Sequence, residues 1–168
     1  MRIRRIILPV LGLVLLSGVL VAQSMTVPAN LQAAIFKKML GFDKTLQSRG
    51  PIEVVVVYGD VAAKDEIVAA FKGVGVSASS VRADQISNGI GNASVLYVAP
   101  GAIPPKQFCA NSGVLSLSGV ASFVEKGQVS IGLGVEGGKP KILIHTGQLK
   151  AEGHDIASDI LNMAKLIQ

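Results

Sequence analysis

Glu53-Val-Val-Val-Val-Tyr58 is the stretch that decides the fold class of this chain. Its four consecutive valines leave no alternation of polar and apolar side chains, and turn-forming residues bound the run on both sides. A short β-branched run of this kind is typical of a strand that is buried on both faces, as in a parallel sheet covered by helices. The run therefore predicts a central strand of an α/β domain.

The segments on either side of this strand have helical periodicity. Before it, the pattern predicts an amphipathic helix from Ala29 to Leu46. The face expected to reach the core consists of Leu31, Ile35, Met39, Phe42 and Leu46. After the strand, residues 62–72 are predicted to form a second helix, with Ile67, Val68 and Phe71 facing inward.

Three further strands are expected downstream, at residues 74–81, 93–99 and 114–117. The connections between them are long enough for parallel crossovers, which need a dozen or more residues. Only short helices fit residues 82–92, which are rich in glycine, and residues 102–111, which prolines flank. This alternation predicts an α/β sandwich with a largely parallel sheet.

The C-terminal third has a different pattern. Apolar residues alternate with small or polar ones over residues 129–136, and Gly137-Gly138 supplies a two-residue hairpin turn. The resulting pairs are Glu136 with Lys139, Leu133 with Ile142, and Ile131 with Ile144. A slip of one residue would destroy this match of apolar with apolar side chains, so the register of an antiparallel hairpin is predicted as well.

Together these elements predict a single Rossmann-like three-layer α/β domain over residues 25–168. It has a largely parallel sheet, a C-terminal antiparallel hairpin and a closing helix from His154 to Ile167. Gly132 and Gly134 belong to a G-x-G-x-x-G pattern, but the dinucleotide motif needs a helix that opens within it, and here a strand continues. We interpret these glycines as positions where a helix or a second subunit approaches the sheet, so a homodimer is possible.

The first twenty-four residues predict export. Met1-Arg-Ile-Arg-Arg5 is cationic, residues 6–21 are almost wholly apolar, and Ala22-Gln-Ser24 has the spacing of a cleavage site. The apolar run is short for a membrane-spanning helix of about 20 residues. We expect a secretory signal peptide over residues 1–24, cleaved near Ala22 or Ser24, and a periplasmic mature domain. An uncleaved anchor is the alternative.

Charge and cysteine content narrow the classes of partner. The net charge is +5, but removing the three leader arginines takes Lys plus Arg from 16 to 13, against 11 acidic residues. Without a concentrated basic face, no nucleic-acid partner is implied. Cys109 is the single cysteine, so an intramolecular disulfide cannot form. We expect a small buried side chain, with an intermolecular disulfide as the alternative.

The polar residues suggest no catalytic or metal-binding set, and we expect neither enzymatic activity nor a cofactor. His145 and His154 are nine residues apart, unlike the ligands of an H-E-x-x-H zinc site, and His154 is expected at a solvated helix start. Ligands of open α/β sheets bind at the carboxyl ends of strands. The residues there that could form a ligand or partner cleft are Asp60, Asp84, Gly101 and Ser118. Ordinary turn residues are the alternative interpretation.

Several segments of the C-terminal half resemble the YfiR/HmsC-like family. They are Val114–Gly119, Phe123–Gly127, Val129–Gly134, Gly138–His145 and Ile160–Leu166. The opening helix, with Ala33-Ala-Ile-Phe36, is also similar to that of the family. The chain departs from the family in having His145 where Asn is usual, in lacking a Trp-Pro segment, and in having one cysteine where some members respond to redox state through disulfides.

The resemblance implies a periplasmic protein that binds the periplasmic part of an inner-membrane diguanylate cyclase. Such binding keeps the cyclase inactive and lowers cyclic-di-GMP signalling and biofilm formation. The expected function is therefore non-enzymatic regulation, with contact to the membrane only through the partner. A small-ligand-binding or sensor module that uses the strand-end cleft is the alternative.

Overall fold

The fold is a single mixed sheet between helices, in a computed structural model that describes residues 27–168; the predicted leader lies outside the described residues. The strands are β1 Glu53–Tyr58, β2 Ser77–Arg82, β3 Val95–Val98, β4 Leu115–Ser118, β5 Ile131–Glu136, β6 Lys139–His145 and β7 Lys165–Ile167. They lie in the order β2-β1-β3-β4-β5-β6-β7. All neighbouring pairs are parallel except β5 and β6.

Within residues 27–168, seven α-helices and one 3₁₀ helix connect or precede these strands. The α-helices are α1 Ala29–Leu40, α2 Lys44–Gln47, α3 Val61–Gly73, α4 Lys106–Ser112, α5 Ala121–Glu125, α6 Thr146–Ala151 and α7 Ser158–Met163. The 3₁₀ helix covers Ala83–Asn88. Among residues 27–168, none of the helices has the length and apolar character needed to cross a membrane.

The prediction of a largely parallel α/β sheet is confirmed, and β1 has the predicted bounds. Its four valines are buried because helices cover both faces of the sheet. Val54 and Val56 belong to a core shared with Phe36 of α1 and Phe71 of α3. Val57 belongs to the opposite core, which includes residues of α4 and α5.

The hairpin formed by β5 and β6 has the predicted register, with Ile131 opposite Ile144 and Glu136 opposite Lys139. Both turn glycines have positive φ, as a tight hairpin turn of this kind requires. Gly132 lies beneath α5, where an added Cβ would be 2.5 Å from Cγ2 of Val124. A helix therefore approaches the sheet at this glycine, as predicted. Gly132 and Gly134 are buried and offer no exposed face to a second subunit.

The predicted first helix, residues 29–46, is two helices. The first helix ends at Leu40, and a second begins after Asp43. The Asp43 side chain accepts hydrogen bonds from the backbone N–H groups of Thr45 and Leu46 and so caps α2. The predicted inward face is also partly wrong. Leu31 is 41% exposed, whereas Phe36 is fully buried.

The predicted closing helix, His154 to Ile167, is wrong over most of its length. Residues 154–157 are not helical, and Ile156 forms a β-bridge with Asp43. After the short α7, Ala164 adopts an extended conformation, and the chain continues as β7 beside β6. The apolar spacing that suggested one helix is divided between an extended segment, a helix and a strand. The helix α6 was not predicted.

The remaining differences from the predicted elements are small. β2 begins at Ser77 because Gly75, with φ 75°, forms the turn that ends α3. β3 is shorter than predicted at both ends, and β4 starts and ends one residue later. The segments expected to hold only short helices contain the 3₁₀ helix and α4.

Candidate functional site

The four strand-end residues lie along one edge of the sheet, and each has a local structural role. Asp60 caps α3, with its Oδ1 accepting from the N–H of Ala62 at 3.0 Å. Asp84 pairs with Arg82 at 3.2 Å. The hydrogen bond from the Arg82 guanidinium holds the pKa of the Asp84 carboxyl below its usual value. Both carboxylates are exposed to solvent.

The other two residues of this edge offer little to a ligand. Ser118 is fully buried, and its hydroxyl donates to the carbonyl of Val98 at 2.8 Å while accepting from the N–H of Val120 at 3.1 Å. Gly101, with φ 79°, turns the chain after β3. Its carbonyl oxygen lies 2.9 Å from the position that a Cβ on Gly59 would occupy, so the two loops touch through their backbones.

A buried carboxylate, Glu152, lies at the end of α6 and is 1% exposed. It accepts from the N–H and hydroxyl of Ser116 at 2.9 and 2.6 Å, from the hydroxyl of Ser130, and from the amide of Gln148 at 2.9 Å. Four donors match the lone-pair sites of an ionised carboxylate. Within residues 27–168 it has no ion-pair partner. The group joins α6 to β4 and to the segment before β5.

A second buried polar group pairs Asp43 with His154. The side chains are fully buried, with Asp43 Oδ2 and His154 Nδ1 2.7 Å apart. The other ring nitrogen, Nε2, lies 3.2 Å from the carbonyl oxygen of Gly113. The prediction of a solvated helix start at His154 is therefore wrong, because no helix begins there and the ring packs against the loop between α1 and α2.

Cys109 is fully buried, which confirms the prediction for its side chain, and burial raises the pKa of the thiol so that it remains protonated. Across residues 27–168, no group of three or more His, Cys, Asp and Glu side chains is arranged to hold a metal ion.

A buried contact fixes the rotation of α1 on the sheet. Tyr97 donates its hydroxyl proton to Oε1 of Gln32 at 2.7 Å and accepts from the N–H of Gly119 at 3.1 Å. Gln32 also donates to the carbonyl of Val27. Burial raises the pKa of the Tyr97 hydroxyl, which therefore stays a donor. Because Gln32 points inward, Leu31 and Ile35 are directed away from the centre of the sheet.

The outward face of α1 borders an apolar groove of about 270 Å³, which we call the α1–α7 groove. Its lining residues are Ile35, Lys38, Met39, Pro140, Ile142, Ile160 and Met163. The walls are helices α1 and α7, and the floor is β6. The stripe of apolar residues that the sequence suggested as the core face of α1 thus partly lines this groove.

Exposed apolar side chains are concentrated around the α1–α7 groove. Leu31 and Met163 are 41% and 57% exposed, and Leu166 is 49% exposed. Leu31 is one turn from Ile35 on α1, and Leu166 pairs with Ile144 on the groove side of β6. Val135, 50% exposed, pairs with Pro140. Of the six large exposed apolar residues within residues 27–168, Met163 lines the groove, and Leu31 and Val135 each neighbour a lining residue; an apolar groove with exposed apolar neighbours is typical of an interaction surface.

Sequence analysis missed this groove and both buried polar groups. The sequence did contain an indication of the Glu152 group, because Ser116 interrupts an apolar strand. A polar side chain inside a buried strand needs a hydrogen-bond partner. The signal for the groove was the apolar stripe of α1, which was assigned to the core. Nothing in the local sequence marks Asp43 and His154 as a pair, because 111 residues separate them.

No protein-family profile matches the chain, and no curated protein matches it in sequence. Solved structures with a similar fold include an ABC domain from Streptococcus pneumoniae in complex with L-Trp, at 12% identity and a TM-score of 0.59. A conserved domain protein from Vibrio cholerae is similar at 12% identity and a TM-score of 0.58. Both alignments cover 84% of this chain but only 62% and 60% of those proteins. At this identity, the similarity shows a shared α/β fold.

Proposed function

We propose that this chain is a periplasmic, non-enzymatic regulatory protein that binds and restrains a membrane-bound signalling partner, a diguanylate cyclase. The observation that carries the proposal is the α1–α7 groove, an apolar surface with exposed residues along both walls. The resemblance to the YfiR/HmsC-like family and the export pattern of the leader support the choice of partner and compartment.

The distribution of polar groups also supports binding rather than catalysis. Glu152 and the Asp43–His154 pair are held by hydrogen bonds inside the fold. Within the described part of the chain, every buried side-chain nitrogen or oxygen has a hydrogen-bond partner. Burying apolar surface contributes roughly 25 cal/mol per Å² to association, so the exposed groove residues are the natural source of affinity.

The proposal predicts that disrupting the groove releases the partner. Deleting the gene is expected to raise cyclic-di-GMP in the native host, and the intact gene is expected to restore the low level. Met163→Asp should fail to restore it, because a charge placed on the groove wall would be desolvated in the complex. The measurement is the cellular cyclic-di-GMP concentration by mass spectrometry.

Val61→Asp is the matched control for this experiment. Val61 is 55% exposed, close to the 57% of Met163, but it lies at the start of α3, away from the groove. Complementation by Val61→Asp should equal that of the intact gene. An unchanged cyclic-di-GMP level after deletion contradicts the proposed function, and full complementation by Met163→Asp contradicts the role of the groove.

A second candidate function is small-ligand binding at the strand-end edge. Ile103, in the loop after β3, is 81% exposed at this edge. One protein of similar fold is bound to L-Trp. If this edge binds such a ligand, saturating L-tryptophan should stabilise the protein by about 2.7 kcal/mol at a hundredfold excess over Kd. Thermal unfolding would show a higher Tm that Ile103→Asp abolishes; an unchanged Tm at millimolar tryptophan contradicts this candidate.

A further inference from the structure

We propose that the α1–α7 groove takes an α-helix of the partner, and that this helix places an acidic side chain against Lys38. The inference rests on the proposed function and specifies the part of the partner that is recognised. It follows from the shape of the helical layer over the sheet and from the single charge in the groove lining.

The helical layer is incomplete at the groove. α3 and α1 cover this face of the sheet over β1 and its neighbours, but α7 has only six residues and is about 9 Å long. Pro140 and Ile142 of β6 are left at the floor of the open space between α1 and α7. In an α/β sandwich, helices pack on the faces of the sheet, so a further helix would complete the layer.

The groove walls suit helix packing. Leu31, Ile35 and Lys38 lie at positions i, i+4 and i+7 along one side of α1, which presents a continuous ridge. Packed helices lie about 8–10 Å apart, with ridges of one seated in the grooves of the other. Amphipathic helices bind such sites through apolar residues at the same spacing. The partner helix would therefore place its apolar side chains on Ile35, Ile142 and Met163.

The charge of the groove indicates what lies beside those apolar side chains. Lys38 is the only charged residue that lines the groove, and it has no ion-pair partner within residues 27–168. Its neighbour Lys37 points elsewhere and donates to the carbonyl of Val74. A carboxylate on the partner helix would pair with Lys38 at the rim and fix the register of the helix.

A second copy of this chain fits the groove less well. In a symmetric dimer, the same surface of both subunits meets, so the Lys38 of each copy would enter the same interface. Like charges placed together there would oppose association. The groove therefore favours a different protein that carries the complementary charge.

Two synthetic peptides test the inference directly. Both are fluorescein-labelled amphipathic helices with leucines on one face and a single charged residue at the border of that face, Glu in one and Lys in the other. Binding to the purified protein is measured by fluorescence anisotropy at low salt. The intact protein should bind the Glu peptide about two- to fivefold more tightly than the Lys peptide, the range of an exposed ion pair.

Variants then assign the binding to the groove. Lys38→Glu should invert the preference, so that the Lys peptide binds more tightly. Met163→Asp should weaken binding of both peptides by about tenfold or more, since the contact of a large apolar side chain is lost. Val61→Asp should bind both peptides as the intact protein does. Circular dichroism and Tm establish that each variant is folded; Lys38 and Met163 are exposed, so neither substitution disturbs the core.

The inference is overturned if Lys38→Glu keeps the original preference or if Met163→Asp binds both peptides with undiminished affinity. It is also overturned if the purified protein forms a dimer that Met163→Asp dissociates, which would assign the groove to a second copy. If neither peptide binds but deleting the gene still raises cyclic-di-GMP, the helix site is rejected and the proposed function is kept. If Lys38→Glu inverts the peptide preference but deleting the gene leaves cyclic-di-GMP unchanged, the cyclase is rejected as the partner and the helix site is kept.

Discussion

Replacing Glu152 by alanine is expected to destabilise the fold by about 3–5 kcal/mol. The substitution leaves the donors of Ser116, Ser130 and Gln148 buried without their acceptor, and each unsatisfied buried group costs about 1–3 kcal/mol. The whole free energy of unfolding of a domain is about 5–15 kcal/mol. The loss is therefore a large part of the total stability, and urea unfolding followed by circular dichroism would measure it.

Two further variants, Glu152→Gln and Glu125→Ala, provide stability losses with which the loss from Glu152→Ala can be compared. The glutamine keeps the volume of the side chain but replaces one acceptor oxygen by a donor, so an intermediate loss is expected. Glu125 is exposed at the end of α5, and its truncation should change stability by no more than about 0.5 kcal/mol. A Glu152→Ala protein with the stability of the Glu125→Ala protein would show that the buried network contributes little to folding.

Asp43→Ala is expected to cost about 3–5 kcal/mol, because it removes one partner of a fully buried pair. His154 would be left in the core without the carboxylate that it contacts at 2.7 Å. The same substitution removes the N-cap of α2, where Oδ1 accepts from Thr45 and Leu46, which contributes about 1 kcal/mol of that cost. Urea unfolding again provides the measurement.

The neighbouring ion pair supplies an internal control. Lys44 and Asp155 join the same two segments at 2.8 Å, but both side chains are 65% exposed. Asp155→Ala should therefore cost no more than about 1 kcal/mol. Equal losses of unfolding free energy from Asp43→Ala and Asp155→Ala would contradict the conclusion that burial makes the Asp43–His154 contact the more stabilising of the two.

The parts of the fold that sequence could predict are those whose pattern is local. The valines of β1 give its position because a strand covered on both faces needs no alternation. The hairpin register followed from the turn glycines and from the match of Leu133 with Ile142 across them. Each inference used only residues that are close along the chain.

The parts that failed depend on distant residues. A buried glutamine, Gln32, turns the buried face of α1 away from Leu31, because Tyr97 supplies a hydrogen-bond partner for Gln32 from the centre of the sheet. The closing helix was wrong because Ile156 bridges to Asp43 and residues 165–167 pair with β6. Apolar spacing alone does not distinguish such extended edge segments from a helix.

The candidate site shows the same limit. Asp60, Asp84, Gly101 and Ser118 lie at the expected strand ends, but sequence could not show that the Ser118 hydroxyl is buried and already bonded. The α1–α7 groove could not be predicted from the sequence, because its lining comes from three separated segments of the chain. Only the placement of α1 beside α7 and β6 makes part of the predicted core stripe the lining of a groove.

The two walls of the α1–α7 groove come from opposite ends of the sequence, residues 29–40 and 158–163. During synthesis, the first wall emerges more than a hundred residues before the second. A chain that a protease has cut behind β6 would lack the α7 wall of this groove. If the groove binds the proposed partner helix, such a shortened chain is expected to lose that binding, because both walls are needed to hold a helix.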